Sequence, residues 1–346
     1  MEKEELIKKI MNCCFADDSI YKSEIKKNDY PEEIFWKNFR DWEKNSGRHD
    51  FSGIYNKKEY YTLRDPDTLS QKLYYMHEYI WNLRCNQYSI PQVKKVNDEC
   101  KLIIDKENII LGSDSFISIY WHWRDMQLLL KEIAKFNYNN ENLIENEIIN
   151  MEKEIVKPRQ EKCFYDENWD KIKRFIWLYL QKSNTIGGFI VFPRHETPTV
   201  NTKRGSSSKI CDRFDLTLEC IRRAYQYGDF YSEENNPLFG IPKEDKEFFK
   251  MFGSFENYIR FFCLEAWVNE NYTTVNDLLS EDGKGSLPTK EWLATDNILP
   301  KTDKQWWTFY RNIMDRLDAR NKQIEKLLSD CSEDDLQKLY NELKAD

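Results

Sequence analysis

Apolar residues recur at helical spacing along most of the chain. In residues 172–180, apolar side chains occupy positions i, i+3, i+4, i+7 and i+8, the pattern of an amphipathic helix. The same spacing predicts helices at residues 1–15, 31–42, 69–82, 119–136, 141–155, 243–251, 254–269, 303–328 and 333–344.

Two parts of the chain have a strand pattern instead. Residues 102–104 and 109–111 are short apolar runs on either side of a polar turn, which predicts a β-hairpin. In residues 186–192 a glycine pair is followed by four apolar residues, and the run stops at Pro193. Because helical segments greatly outnumber strands, we predict an α+β fold that is predominantly α-helical, with a small β-sheet containing 102–111 and 186–192.

A break in the helical pattern at residues 156–166 is the best candidate linker. It divides the chain into an N-terminal helical region with a β-hairpin at 1–155, and a signature region with the C-terminal helices at 167–346. The chain lacks an internal repeat, and we expect the two regions to pack as one compact unit.

Composition narrows the classes of function. The net charge of −8 argues against broad wrapping of nucleic acid, which draws its affinity from clustered Lys and Arg. The sequence has no run of 18 apolar residues and begins with the charged segment MEKEELIKK, so we expect a cytoplasmic protein without a membrane partner. Nine cysteines without a CxxC pair, and only four histidines, argue against a structural zinc site or a histidine-rich metal centre.

Charged residues concentrate on one side of the segment 211–225. On a helix, its ionic residues fall within an arc of roughly 100° and its apolar residues within an opposite arc of about 60°. The ionic set is Asp212, Asp215, Glu219, Arg222 and Arg223, and the apolar set is Phe214, Leu218, Ile221 and Tyr225. We predict that the apolar set is buried and that the ionic set shares one face with Arg204 within reach.

A polar stretch leads towards the start of this helix and predicts an anion site. It contains Asn201, Arg204, Gly205 and three serines, and free N–H groups, hydroxyls and arginine near a helix start attract anions, of which phosphate is the commonest in biology. We expect Arg204 to lie near a surface loop. The predicted ligand-binding residues are Arg194, Asn201, Arg204, Ser206, Asp212 and Arg222.

His195 is the best candidate for proton transfer, because it is the one histidine in a polar setting just beyond the predicted strand. Asp215 and Glu219 complete the predicted catalytic set. Their carboxylates could hold Mg²⁺, but Arg222 is close enough to neutralise them, so the pattern assigns no metal and no cofactor.

At these residues the chain resembles an uncharacterised bacterial family marked by the block DRFDLTLECIRR, which stands entire at Asp212–Arg223. The family's upstream pattern I-G-G-x-I-x-F-P is matched by Ile186–Pro193, and its R-G pair by Arg204 and Gly205. Further resemblance includes Leu111–Ser115 and covers roughly residues 35–325. The resemblance implies a shared motif and names no substrate.

Three hypotheses remain open. The chain binds a phosphate-bearing ligand, a nucleotide or a nucleic-acid end, as an enzyme or a sensor in a bacterial stress or phage-defence system. Alternatively, it is a non-enzymatic module whose ionic face on helix 211–225 docks a partner protein. In the third hypothesis the signature is a buried ion-pair network that fixes helix packing.

Overall fold

The computed structural model describes residues 2–13, 15, 67, 70–97, 99–104, 109–117, 179, 182–194, 199–228, 230, 236–287, 293 and 298–344. The helices predicted at 31–42, 119–136 and 141–155 lie outside these residues, as does the helix predicted at 172–180 apart from Tyr179. The candidate linker at 156–166 and His195 also lie outside them.

Helices dominate the described residues. They are α1 (Lys3–Met11), α2 (Gln71–Arg84), α3 (Val200–Ser206), α4 (Phe214–Tyr227), α5 (Lys243–Lys250), α6 (Phe255–Phe261), α7 (Asp303–Ser329) and α8 (Glu333–Lys344). No helix in this part of the chain is both long enough and apolar enough to cross a membrane.

Within the described part of the chain, one antiparallel sheet of four strands accompanies the helices, so the predicted helix-dominated α+β fold is confirmed. The strands are β1 (Val93–Lys95), β2 (Leu102–Ile104), β3 (Ile109–Ser115) and β4 (Phe189–Pro193), and they are arranged in that order. The predicted hairpin is the pair β2–β3, in which Ile103 lies opposite Ile110. The predicted strand 186–192 becomes β4, preceded by a short 3₁₀ turn at Ile186–Gly188.

The sheet lies between two groups of helices. Successive side chains of a strand point to opposite faces, so Ser113 and Asp114 of β3 face different layers. On one face Ser113 meets His77 of α2, and on the other Asp114 forms an ion pair with Arg204 of α3. Strand β3 is therefore the element that joins the buried polar groups on both sides of the sheet.

The core is rich in aromatic residues. Trp81 of α2 packs edge to face on Phe261 at 4.9 Å between ring centroids, and Phe116 packs on Phe214 at 4.4 Å. Such pairs stabilise the fold beyond the area that they bury. A second cluster of buried side chains joins α1, α8 and the end of α7.

Two predicted boundaries are wrong. The helix predicted at 254–269 ends at Phe261, because Cys263 takes a left-handed backbone (φ 57°) and Leu264 N donates to Ile259 O, which terminates the helix. The polar stretch at 200–206 is the helix α3 rather than a loop, since the Thr199 side chain caps it by accepting from Thr202 N.

Candidate functional site

Arg204 lies at the centre of the signature region and is fully buried. Its guanidinium forms ion pairs with Asp114 and, at 3.2 Å, with Asp212. It also donates to Ser115 O at 3.2 Å, to Phe116 O at 2.6 Å and to the Thr217 hydroxyl at 3.2 Å. The hydrogen bonds and ion pairs to these five partners involve all three nitrogens of the guanidinium.

The charge of Arg204 is retained despite its burial. Burial by itself would lower the pKa of Arg204, but Asp114 and Asp212 raise it above its ordinary value. The rings of Phe192 and Phe214 lie 5.8 Å and 5.6 Å from the guanidinium carbon, which adds cation–π attraction. The expectation that Arg204 lies near a surface loop is wrong, because α3 packs it against the sheet.

The turn between α3 and α4 brings Asp212 onto Arg204. Cys211 and Asp212 both take left-handed backbone conformations, with φ of 45° and 59°. Non-glycine residues reach this region at a cost. The turn is held by Asp212 N, which donates to Arg204 O at 2.8 Å. The Arg204–Asp212 contact thus combines a main-chain and a side-chain bond across the same turn.

A second set of ion pairs fixes the start of α4. Arg213 is buried and donates to both carboxylate oxygens of Asp215, at 3.1 Å and 2.5 Å, and to Asp277 at 2.9 Å. Asp215 also accepts from the main-chain N–H groups of Leu216 and Leu278, both at 3.0 Å. These four bonds occupy both oxygens of Asp215 and tie the segment around Leu278 to α4.

A third set lies further along α4, where Glu219 is 1 % exposed. Arg222 donates to both oxygens of Glu219, at 2.7 Å and 2.9 Å, and Arg223 donates to one of them at 3.0 Å. The Arg222 side chain is 19 % exposed and the Arg223 side chain 13 %. One buried carboxylate therefore holds two arginines at the edge of the protein surface.

The apolar side of α4 confirms the helical prediction. Phe214, Leu218 and Ile221 are buried, and Tyr225 is partly buried with its hydroxyl donating to Phe249 O. The ionic side differs from the expected single site. Arg204 pairs with Asp114 and Asp212, whereas Asp215 and Glu219 pair with arginines of their own segment.

The remaining predicted ligand-binding residues lie apart from Arg204. Arg194 is exposed at the end of β4, and its side chain covers Gly112, where an added Cβ would meet the Arg194 Cδ at 2.6 Å. Asn201 and Ser206 lie at opposite ends of α3, partly exposed and exposed respectively. Among the described residues, no hydrogen bond or ion pair joins the side chains of these three residues to Arg204. Their roles in ligand binding stay predictions.

Sequence reasoning missed Asp114 as a partner of Arg204. It also missed a buried polar cluster on the other face of β3, in which His77 Nε2 lies 3.0 Å from Ser113 Oγ and Ser113 donates to Asp67 at 3.3 Å. Burial, and secondarily Arg320, lowers the pKa of His77 to about 3, so the ring is neutral at pH 7. The available signal was the segment Leu111–Ser115, because its consecutive polar residues in a strand point polar side chains to both faces of the sheet.

Within the part of the chain that the structure describes, no group of three or more His, Cys, Asp or Glu side chains could hold a metal ion. The proton-transfer candidate His195 lies outside that part.

The sequence model of a family of unknown function (DUF6994) matches residues 50–164 and 148–324. The chain belongs to this family. The DUF6994 match spans β1 to β4, α2 to α6 and all three sets of ion pairs, whereas α1 and α8 lie outside it. No curated protein and no solved structure shows significant similarity to the chain.

Proposed function

We propose that this protein binds a phosphate-bearing ligand, a nucleotide or a nucleic-acid end, at the exposed end of α4, with Arg222 as the phosphate ligand. The observation that carries this proposal is the buried Glu219 carboxylate, which holds Arg222 and Arg223 side by side. The arginines are ordered before the ligand arrives, which lowers the entropic cost of binding.

Arg222 has donors left for a ligand. Glu219 takes two of its N–H groups and Gln226 Oε1 takes a third at 3.1 Å, whereas a guanidinium carries five. The hydrogen bonds to Glu219 are the main cause that raises the pKa of Arg222, so it stays cationic. A planar fork with unused donors suits the oxygens of a phosphate.

An exposed aromatic ring that could stack against a base or a sugar lies nearby. Tyr227 follows Arg223 by one helical turn and is 56 % exposed. Exposed aromatic rings stack nucleobases without requiring a particular base. This ring favours a nucleotide or a nucleic-acid end over inorganic phosphate alone.

The geometry favours binding over catalysis by Asp215. A general base needs an oxygen that can accept a substrate proton, and four protein donors already occupy the Asp215 oxygens. Glu219 is likewise committed to two arginines. In this proposal Arg204, Asp212 and Asp215 position α4, and Glu219 orients the arginines. The catalytic roles of His195, Asp215 and Glu219, and the bacterial defence setting, stay predictions.

Protein docking at the same place is the second candidate. An exposed tyrosine beside two arginines is the composition typical of residues that dominate protein interfaces. A docked partner would meet Arg222, Arg223 and Tyr227, since Asp215 and Glu219 are buried.

Isothermal titration with AMP, adenosine and inorganic phosphate tests the proposal. We expect AMP to bind more tightly than adenosine or phosphate alone. Arg222→Gln should weaken AMP binding by about tenfold to a hundredfold, because a charged hydrogen bond contributes about 1.5–3 kcal/mol. The matched control is Arg260→Gln, which removes an arginine from an exposed ion pair with Glu256 on α6.

Equal AMP affinity in Arg222→Gln and the parent would reject the site. Equal affinity of adenosine and AMP would reject phosphate recognition. The docking candidate gains if no nucleotide binds while the Arg222→Gln variant loses a partner protein that the Arg260→Gln variant retains.

A further inference from the structure

A pocket of about 200 Å³ opens between the end of α4 and α5. Its wall contains the rings of Tyr225, Phe230 and Phe249 together with Ala224. Phe230 and Phe249 pack with ring centroids 5.4 Å apart, and the Tyr225 hydroxyl is held by Phe249 O. The pocket therefore has a preformed aromatic wall.

Two glycines line this pocket. Gly228 ends α4 with φ of 84°, and Gly253 follows α5 with φ of 73°. A Cβ added at either position would meet no atom within 4 Å. Both glycines meet the need for a left-handed backbone, and neither adds a side chain to the pocket wall.

Two lysines line the pocket. They are Lys246 and Lys250, which lie one turn apart on α5. The Lys250 side chain is 58 % exposed and pairs with Glu247 at 3.1 Å; Glu247 is not among the lining residues. An anionic group in the pocket would thus meet the exposed ammonium group of Lys250 beside the aromatic wall.

We propose that this pocket binds a small planar aromatic acid, a single ring that carries one carboxylate. The ring would pack against Tyr225, Phe230 and Phe249, and the carboxylate would face Lys250. The volume suits one ring and is below the range of drug-sized or nucleotide sites. Helical spacing also places Ala224 and Tyr225 away from the Glu219 side of α4, so this site is distinct from the arginine pair.

Fluorine NMR with 4-fluorobenzoate as the probe tests this proposal. We expect the fluorine signal to broaden on addition of the protein. The neutral analogue 4-fluorobenzyl alcohol should broaden much less, since it lacks the charge that Lys250 attracts. Equal broadening by the acid and the alcohol would overturn the role of Lys250.

Two variants and two controls locate the bound probe. Ala224→Leu fills the pocket and should abolish broadening. Lys250→Glu should weaken binding by about tenfold through repulsion of like charges. Because the Lys250 side chain is exposed, this substitution should not impair folding. Lys243→Glu, an exposed position of the same helix outside the lining set, should bind like the parent.

The second control, Arg222→Gln, should also bind the probe like the parent. Loss of the signal in Arg222→Gln would place the probe on the arginine pair and overturn the pocket. Parent-like binding by both Ala224→Leu and Lys250→Glu would overturn it as well. If Ala224→Leu fails to fold, probe binding by Lys250→Glu is compared with probe binding by Lys243→Glu. Equal binding by these two variants would then overturn the pocket.

Discussion

Arg204 and Asp114 form a buried ion pair between residues 90 positions apart in the sequence. Asp114 comes from β3 and Arg204 from α3, so the pair attaches the signature region to the sheet. Asp212 forms a second ion pair with the Arg204 guanidinium, at 3.2 Å. A buried arginine that engages five protein acceptors holds three chain segments at fixed positions, and α4 takes its position from them.

Removal of Arg204 should therefore destabilise the fold. Arg204→Ala leaves Asp114 and Asp212 without their shared cation, and breaking one partner of a buried pair costs about 3–5 kcal/mol. Arg204→Lys should fall between the parent and the alanine variant, because it keeps the charge and loses the fork. Urea unfolding measures the free energies. Arg260→Ala, from an exposed pair, should cost less than about 1 kcal/mol; equal losses in Arg204→Ala and Arg260→Ala would show that Arg204 does not hold the fold.

Leu218 tests the register of α4. Its side chain is buried on the apolar side of the helix, so Leu218→Ala should lower the free energy of unfolding by about 2–5 kcal/mol through the cavity it leaves. Thermal and urea unfolding report this change. The control is Tyr227→Ala on the same helix, which is exposed and should change stability by less than about 0.5 kcal/mol. A Leu218→Ala variant that unfolds like the parent would contradict the register.

Asp245 should make stability fall as pH rises. Its Oδ2 accepts from Val200 N at the start of α3, whereas its Oδ1 has no partner among the described residues. Burial raises the pKa of Asp245 from 3.8 to about 7. The folded state then keeps a proton that the unfolded state releases near pH 4, so this contribution is complete below about pH 4 and is lost as pH rises through 7.

Asp245→Asn keeps an acceptor for Val200 N and removes the titration. The stability of the variant relative to the parent should rise between pH 4 and pH 7, by at most about 1.4 kcal/mol per pH unit. Urea unfolding of both proteins at pH 4.5, 6 and 8 gives the difference. A difference that is constant with pH would show that Asp245 does not titrate in this window.

His77 should have the opposite effect on the pH dependence of stability. Burial lowers its pKa from 6.5 to about 3, so the unfolded state binds a proton first as pH falls below 6.5. The stability contributed by neutral His77 is present above about pH 6.5 and is lost as pH falls towards 3. His77→Gln retains an amide that can bond Ser113. Its stability deficit relative to the parent should shrink from pH 7 to pH 4.5 in urea unfolding, and a deficit that grows on acidification would refute the neutral ring.

Local sequence patterns determined much of this fold. The 3.6-residue period of apolar residues predicted which side of α4 is buried at Phe214, Leu218 and Ile221, because a helix places residues three and four apart on one face. Two short apolar runs about a polar turn predicted the hairpin β2–β3, and the apolar run before Pro193 predicted β4. The type of each element and its buried face depend on residues that are only a few positions apart in the sequence.

Only the tertiary structure decided the partners of the charged residues. Helical spacing indicates that Glu219 can reach Arg222, and the structure contains that pair. No local pattern indicates that Arg204 meets Asp114, or that Arg213 meets Asp277, which is 64 positions away. A buried charge requires a counter-charge, but many distant carboxylates satisfy that requirement, and packing of the sheet and helices selects one. The sequence therefore determined the elements and their apolar faces, and tertiary packing decided which arginines became buried supports and which stayed at the surface.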